Sequence, residues 1–93
     1  MITTMRTGHD TFDVTIRENN TETRHGVVLT DTLHKELAKA NMTKEECVRG
    51  AVRFLLSRDK KEDIFRRFDV ATIETFFPDF RTKLPAHFEP SGR

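Results

Sequence analysis

The stretch TFDVTIRENNTETRHGVVLT, residues 11–30, decides the fold of this chain. Apolar and polar residues alternate before the central ENNT, which predicts a strand with one apolar face. That face is formed by Phe12, Val14 and Ile16. Asn19 and Asn20 are predicted to form a two-residue loop, because asparagine tolerates the left-handed backbone of a tight turn. The stretch therefore predicts a β-hairpin over about residues 11–29.

The two-residue loop also fixes the register of the hairpin. It places Arg17 opposite Glu22, and the following pairs run down to Phe12 opposite Val27. In this register Val27 and Leu29 fall on the same face as the apolar residues of the first strand. Two independent patterns thus agree on a sheet with one buried face.

Two helices are predicted after the hairpin. Thr30 or Asp31 caps the first helix. Its apolar residues recur at helical spacing: Leu33, Leu37 and Ala40. Thr43 and Glu46 form a capping box, in which each side chain satisfies a free backbone amide of the other residue. The second helix is therefore predicted to run from this box to about Ser57.

The second helix is predicted to bury one face. The core residues on that face are Cys47, Val48, Ala51, Val52 and Leu55. On the outside Glu45, Arg49 and Arg53 stack at four-residue spacing, which is typical of a solvated surface. Gly50 weakens the helix by up to about 1 kcal/mol, unless a close neighbour needs the space of the missing side chain.

The C-terminal third is rich in phenylalanine. The segment DKKEDIFRRF predicts a short helix, and Asp69 is predicted to cap another one that Pro78 ends. Six of the eight phenylalanines lie after Asp59, so this third either packs on the rest of the chain or meets a partner. The candidate partner-binding residues are Phe76, Phe77 and Phe80. Residues 1–10 are predicted to be a flexible N-terminus, 11–80 a single α+β domain, and 81–93 a flexible tail.

Composition narrows the class of protein. A chain of 93 residues has a thin core, which an apolar face shared in a homodimer would supplement. Sixteen Lys and Arg balance fifteen Asp and Glu, and neither half of the chain is a basic tail. The chain shows no signal peptide or membrane-length apolar segment, which predicts a cytoplasmic protein without membrane contact.

Catalytic and metal motifs are not evident in the sequence. The one cysteine and four scattered histidines have no zinc-site spacing, and Cys47 lies on the predicted core face. There is no glycine-rich phosphate loop, no paired-carboxylate motif and no nucleophile elbow. We therefore expect no enzymatic activity, no cofactor and no metal ion.

The stretch from Val27 to Leu56 resembles the ribbon-helix-helix family of DNA-binding proteins. VVLTDTLHKEL is similar to the strand and first helix of that family, and NMTKEECVRGAVRFLL to its turn and second helix. The resemblance implies a dimer whose strands form a ribbon in the major groove. It also implies that Thr43 and Lys44 hold a phosphate. By the same resemblance the base-reading positions are Arg24, Gly26 and Val28. The hypothesis of DNA binding also directs Arg17 toward DNA.

Two departures from that family leave alternatives open. Gly26 and Val28 offer little to a base edge, and the ribbon strand already has its own hairpin partner. Either the hairpin adds to a ribbon through the free edge of residues 24–29, or the ribbon is replaced altogether.

Two functional hypotheses follow from these patterns. The first is a ribbon-helix-helix-like DNA-binding regulator or antitoxin-type protein. The second is a homodimeric interaction module without DNA binding, which contacts a partner through the Phe-rich C-terminal helices. The run FLLSRDKKEDIFRRFDVATIETFFPDF also resembles a segment of small bacterial proteins of unknown function, which implies no activity.

Overall fold

The predicted hairpin lies at the centre of a larger sheet. The computed structural model describes residues 1–39 and 41–88. Within them four strands pair in the order β1-β2-β3-β4. The strands are β1 Ile2–Arg6, β2 Thr11–Glu18, β3 Thr21–Val28 and β4 Arg67–Asp69. The α-helices of these residues are α1 Asp31–Leu37, α2 Lys44–Leu56, α3 Ile73–Phe76 and α4 Phe80–Lys83. Single 3-10 turns cover Lys61–Asp63, Val70–Thr72 and Leu84–His87.

The hairpin itself is confirmed in its predicted register. Strands β2 and β3 are antiparallel, with Arg17 opposite Glu22 and Phe12 opposite Val27. Asn19 and Asn20 have φ angles of 54° and 66°, the left-handed conformation of a two-residue turn. The alternating apolar residues are fully buried, so the sheet has one core face and one open face.

The fold class α+β is confirmed, but the sheet is larger than the predicted hairpin. Residues 1–10, which we expected to be frayed, contain β1, which pairs antiparallel with β2. The terminal amino group of Met1 and its carbonyl both bond to the backbone of Arg17, each at 2.8 Å. The sequence ITTMR contains only one large core residue, Ile2, so its strand alternation is weak.

The predicted helix over DKKEDIFRRF is wrong. After one 3-10 turn this segment becomes extended and adds β4 parallel to β3. The amide of Gly26 donates to the carbonyl of Arg66 at 2.6 Å, and His25 Nδ1 lies 2.8 Å from the carbonyl oxygen of Phe65. The predicted helix would have paired Glu62 with Arg66, four residues later. Glu62 lies instead in the 3-10 turn and pairs with its neighbour Lys61.

The caps of the two long helices are confirmed. Thr30 Oγ1 accepts a hydrogen bond from the amide of Leu33 at 3.2 Å at the start of α1. In the capping box of α2 the amide of Glu46 donates to Thr43 Oγ1 at 3.1 Å, and the amide of Thr43 donates to Glu46 Oε1 at 2.8 Å. Ala40, the last of the apolar residues predicted at helical spacing in the first helix, lies outside the described residues.

Helix α2 is buried on two faces. All five predicted core residues are buried, and burial raises the pKa of the Cys47 thiol to about 11, which fits packing and not reactivity. Gly50 and Phe54, on the second face, are also buried, because the C-terminal segment packs there. A Cβ atom at Gly50 would lie 2.4 Å from Cδ1 of Phe88. The missing side chain therefore makes room for that ring.

The C-terminal segment is folded as far as it is described. Residues 80–87 are helical turns, and both Leu84 and Phe88 join the core, so this part of the predicted flexible tail is structured. Residues 89–93 lie outside the described residues. Among the described helices none is both long and apolar enough to cross a membrane.

Candidate functional site

The two arginines predicted to face DNA lie on the open face of the sheet. Arg17 Nε is 3.6 Å from one oxygen of Glu22, and Arg24 Nε is 3.4 Å from the other. Both guanidinium groups are well exposed. The carboxylate between them offsets part of the positive charge that a phosphate would meet.

Lys44 is directed toward its own chain. Only 6% of its side chain is exposed. Its Nζ lies 2.7 Å from Asp10 Oδ1 and 2.6 Å from Asp31 Oδ1, and it donates to the carbonyl of His9 at 3.1 Å. The hydroxyl of Thr43 serves the capping box. The groups predicted to hold a phosphate therefore already have partners within the molecule.

The charges of this cluster support one another. Desolvation lowers the pKa of Lys44, but its hydrogen bonds to Asp10 and Asp31 outweigh that effect, so the pKa is raised. The hydrogen bond from Lys44, followed by that from His9, holds the pKa of Asp31 well below its ordinary value. The cluster ties the β1–β2 connection to the first turns of α1 and α2.

The same cluster contains a possible set of metal ligands. His9, Asp10 and Asp31 each place one ligand atom within 4.8 Å of the other two. Among the described residues this is the one such group of three. However, the Lys44 ammonium lies between the two carboxylates and already supplies the positive charge there. We therefore interpret the cluster as an ion-pair network.

Replacing Lys44 with methionine should remove part of the acid dependence of stability. Because the pKa of Asp31 is lowered in the folded state, its contribution is present above the ordinary pKa of 3.8 and is lost as the pH falls below it. We expect the wild type to be more stable than Lys44→Met at about pH 7, with the gap closing toward about pH 2. Urea unfolding across this range measures the gap. The control is Lys35→Met, which changes an exposed lysine of α1 and should show no difference in stability that shrinks as the pH falls. If the difference between the wild type and Lys44→Met does not change with pH, the ion pair of Lys44 with Asp31 does not cause it.

The three predicted partner-binding phenylalanines have different environments. Phe80 is 1% exposed and packs edge-on against Phe54 with 5.0 Å between ring centroids, so it belongs to the core. Phe77 is half-buried and also meets Phe54 edge-on. Phe76 is 60% exposed. Of the three, Phe76 presents its ring to solvent.

A second exposed ring lies beside Phe76. Phe65, 59% exposed, meets Phe76 in a T-shaped arrangement with 5.7 Å between centroids. The two rings border a cavity of about 130 Å³. The cavity is lined by Leu55, Asp59, Asp63, Ile64, Phe65, Phe68, Thr72, Ile73, Phe76 and Phe77. We call the two rings and this cavity the Phe65–Phe76 surface. Phe65 was not among the predicted partner-binding residues, because the predicted helix over DKKEDIFRRF placed its ring in the core.

The size and rim of the cavity define what can enter it. Small-molecule sites usually measure about 300–1,000 Å³, so this cavity fits a single large side chain and not a cofactor. Its lining is mostly apolar, and Asp59 and Asp63 stand at the rim. In the part of the chain that the structure describes, neither of these exposed carboxylates has an ion-pair partner. The surface therefore suits an apolar anchor with a cation beside it.

A wider depression of about 940 Å³ covers the open face of the sheet. Its floor combines threonines with Gly26 and Val28, and both Asp13 and Arg24 border it. It is open and mixed in charge, and it lacks the apolar enclosure of the smaller cavity. It is therefore the weaker candidate for specific recognition.

Comparisons with known proteins add no assignment. No protein-family model matches the chain, and neither a curated protein nor a solved structure matches it. The resemblance to ribbon-helix-helix proteins thus stays a prediction. In this chain the edge of β3 at Gly26, Val27 and Val28 is paired with β4, so those residues have no free edge for a ribbon. The function has to be argued from the site itself.

Proposed function

We propose that this chain is a homodimeric protein-interaction module, without catalytic activity of its own, that contacts a partner protein through the Phe65–Phe76 surface. The observation that carries the proposal is the exposed T-shaped ring pair beside an apolar cavity. Burying an aromatic side chain contributes about 1.5–3 kcal/mol of free energy. In the isolated chain the two exposed rings do not gain this stabilisation, so a partner that buries them would supply it. Aromatic residues next to a desolvated pocket are also the usual energetic centre of protein interfaces.

The chemistry of the surface specifies the partner segment. One large apolar side chain, such as leucine or phenylalanine, would fill the cavity. A lysine or arginine close to it in sequence would pair with Asp59 and Asp63 at the rim. Complementary charges at a rim mainly set specificity and the rate of association, while the buried anchor sets most of the affinity.

The DNA-binding regulator remains the rival prediction from the sequence. It rests on Arg17 and Arg24, together with the capped start of α2. We favour the interaction module because both arginines share the carboxylate of Glu22, and because Lys44 is enclosed by Asp10 and Asp31. The rival would show duplex affinity that falls steeply with salt.

Selection from a random peptide library displayed on phage tests the proposal. We expect the wild-type protein to enrich peptides with one large apolar residue near a lysine or arginine. Phe76→Ser should raise the Kd for the enriched peptides by roughly 30-fold, which corresponds to about 2 kcal/mol of binding free energy at an interface hot spot. The free energy of unfolding of this variant should differ from that of the wild type by less than about 0.5 kcal/mol, because the Phe76 ring is exposed.

The matched control is Met5→Ser, which removes a comparably exposed apolar side chain (66%) from the sheet. This variant should bind the enriched peptides as the wild type does. Asp59→Asn combined with Asp63→Asn should remove the preference for basic residues and keep the apolar anchor. The proposal fails if no consensus emerges, or if Phe76→Ser and Met5→Ser bind equally well.

A further inference from the structure

Within the described part of the chain, the outer edge of β1 presents backbone groups without hydrogen-bond partners. Met1 and Arg17 exchange two backbone hydrogen bonds at one end of the β1–β2 ladder, and the amide of Thr7 donates to Thr11 at the other end. Paired and unpaired residues alternate along an antiparallel ladder. Counting from both ends, the same three residues point their N–H and C=O groups away from β2: Ile2, Thr4 and Arg6.

Among residues 1–39 and 41–88 this edge has none of the usual protection against pairing. Natural proteins blunt an edge strand with proline, a bulge, an inward charge or a very short length. The opposite edge, β4, has three residues and carries Arg67. Strand β1 has five residues, and its one charged side chain is that of Arg6. The Arg6 guanidinium is held against its own chain, because it donates to the carbonyls of Gly8 and His9 at 3.1 and 2.7 Å. As far as the chain is described, strand β1 is therefore the edge that is free to pair.

We propose that a second copy of this chain pairs along β1, antiparallel, with Thr4 opposite the partner subunit's Thr4. The inference rests on the homodimeric part of the proposed function and names its interface. The pairing is symmetric: Ile2 would face the partner subunit's Arg6, so the two Arg6 side chains would lie at opposite ends of the paired strands. Each of the three pairs would exchange two backbone hydrogen bonds. These bonds would satisfy all the unpaired groups of the strand.

The pairing has a consequence for recognition. It creates a continuous eight-stranded sheet with β4 at both ends, because β1 and β4 lie at opposite edges of each subunit. The Phe65–Phe76 surface borders β4, so the dimer would carry two such surfaces. They would be separated by roughly seven strand spacings, about 34 Å. A partner with two binding segments could then gain affinity through avidity.

Two substitutions at Thr4 separate backbone pairing from other effects. Thr4→Pro removes the outward N–H and leaves the bonds to β2 in place, since proline is tolerated on an edge whose N–H faces outward. Thr4→Val keeps that N–H, and both variants lose the hydroxyl that accepts from Arg49 at 3.2 Å. By symmetry Thr4→Pro removes two donors, which should raise the dimer Kd by about 10- to 100-fold. Thr4→Val should leave the Kd near that of the wild type in sedimentation equilibrium.

A cross-link tests the register without depending on the folding of the proline variant. Residues opposite each other in a hydrogen-bonded pair have Cα atoms about 5.5 Å apart, within the range of a disulfide. Thr4→Cys should therefore form a covalent dimer under mild oxidation. Thr3→Cys, one residue off the symmetry axis, should not, because its symmetry mate would lie beyond disulfide reach.

The outcomes distinguish the two proposals. A dimer that Thr4→Pro weakens and Thr4→Cys cross-links supports the β1 interface. A dimer that Thr4→Cys does not cross-link overturns the β1 interface and leaves the homodimer itself standing. A wild-type protein that stays monomeric at every concentration overturns both the interface and the homodimeric part of the proposed function.

Discussion

Replacing Phe54 with alanine is expected to lower the free energy of unfolding by about 3–5 kcal/mol. Phe54 is fully buried and meets Phe77, Phe80 and His87 edge-on, with 5.0–5.7 Å between ring centroids. The Arg58 guanidinium lies 4.6 Å from its centroid. The ring thus joins α2 to residues 77–87 of the C-terminal segment. A domain of this length has a total stability of about 5–14 kcal/mol, so the loss would be a large share of it.

Urea unfolding of the wild type and Phe54→Ala measures this loss. Phe76→Ala is the control, because it truncates an exposed ring of the same type and should change stability by less than about 0.5 kcal/mol. Hydrogen exchange should show that Phe54→Ala loosens residues 77–88 more than the hairpin. A loss of unfolding free energy below about 1 kcal/mol would contradict the placement of Phe54 between α2 and the C-terminal segment.

Gly50→Ala is expected to have opposite effects in two backgrounds. In the wild type the added Cβ would meet the Phe88 ring at 2.4 Å, so overpacking should cost about 1–3 kcal/mol. Once Phe88 has been replaced by alanine the space is open, and the better helix propensity of alanine should add up to about 1 kcal/mol. Phe88→Ala by itself should cost about 3 kcal/mol, because the ring is buried.

A double-mutant cycle measures the coupling of these two positions by urea unfolding. These two opposite effects imply a coupling energy of about 1–4 kcal/mol, as expected of residues in direct contact. Additive effects would show that Phe88 does not lie over Gly50. A stabilising Gly50→Ala in the wild type would show the same.

The hairpin and the two long helices could be predicted because their determinants are local. Alternating apolar residues and an Asn-Asn loop fix both the strands and their register, and the capping box of Thr43 and Glu46 marks the start of α2. For Gly50 the sequence left open either a weakened helix or a close neighbour, and the structure places the Phe88 ring there. The turn and the capping box each depend on residues within a few positions of one another, whereas the contact of Gly50 with Phe88 does not.

Strand β4 could not be predicted because tertiary bonds decide it. The segment before it has acidic and basic residues four apart, which is typical of a helix. The bonds from His25 to Phe65 and from Gly26 to Arg66 hold it extended, and they join positions about 40 residues apart. Helix propensity is a weak preference that such contacts override.

The candidate site was predicted only in part, for the same reason. Phe76 was included among the partner-binding residues, but helical spacing could not separate its exposed ring from the buried ring of Phe80. Phe65 was missed because its exposure follows from the extended backbone before β4. Likewise, the enclosure of Lys44 depends on Asp10, which lies 34 residues earlier in the chain.

The location of the partner segment is the most direct test of the proposed function. A peptide enriched by the wild-type protein can be titrated into isotope-labelled protein while amide chemical shifts are followed by NMR. We predict that the largest perturbations fall on residues 55–77, around the Phe65–Phe76 surface, and that Phe76→Ser abolishes them. Perturbations centred on the open face of β1, β2 and β3 would contradict the proposal.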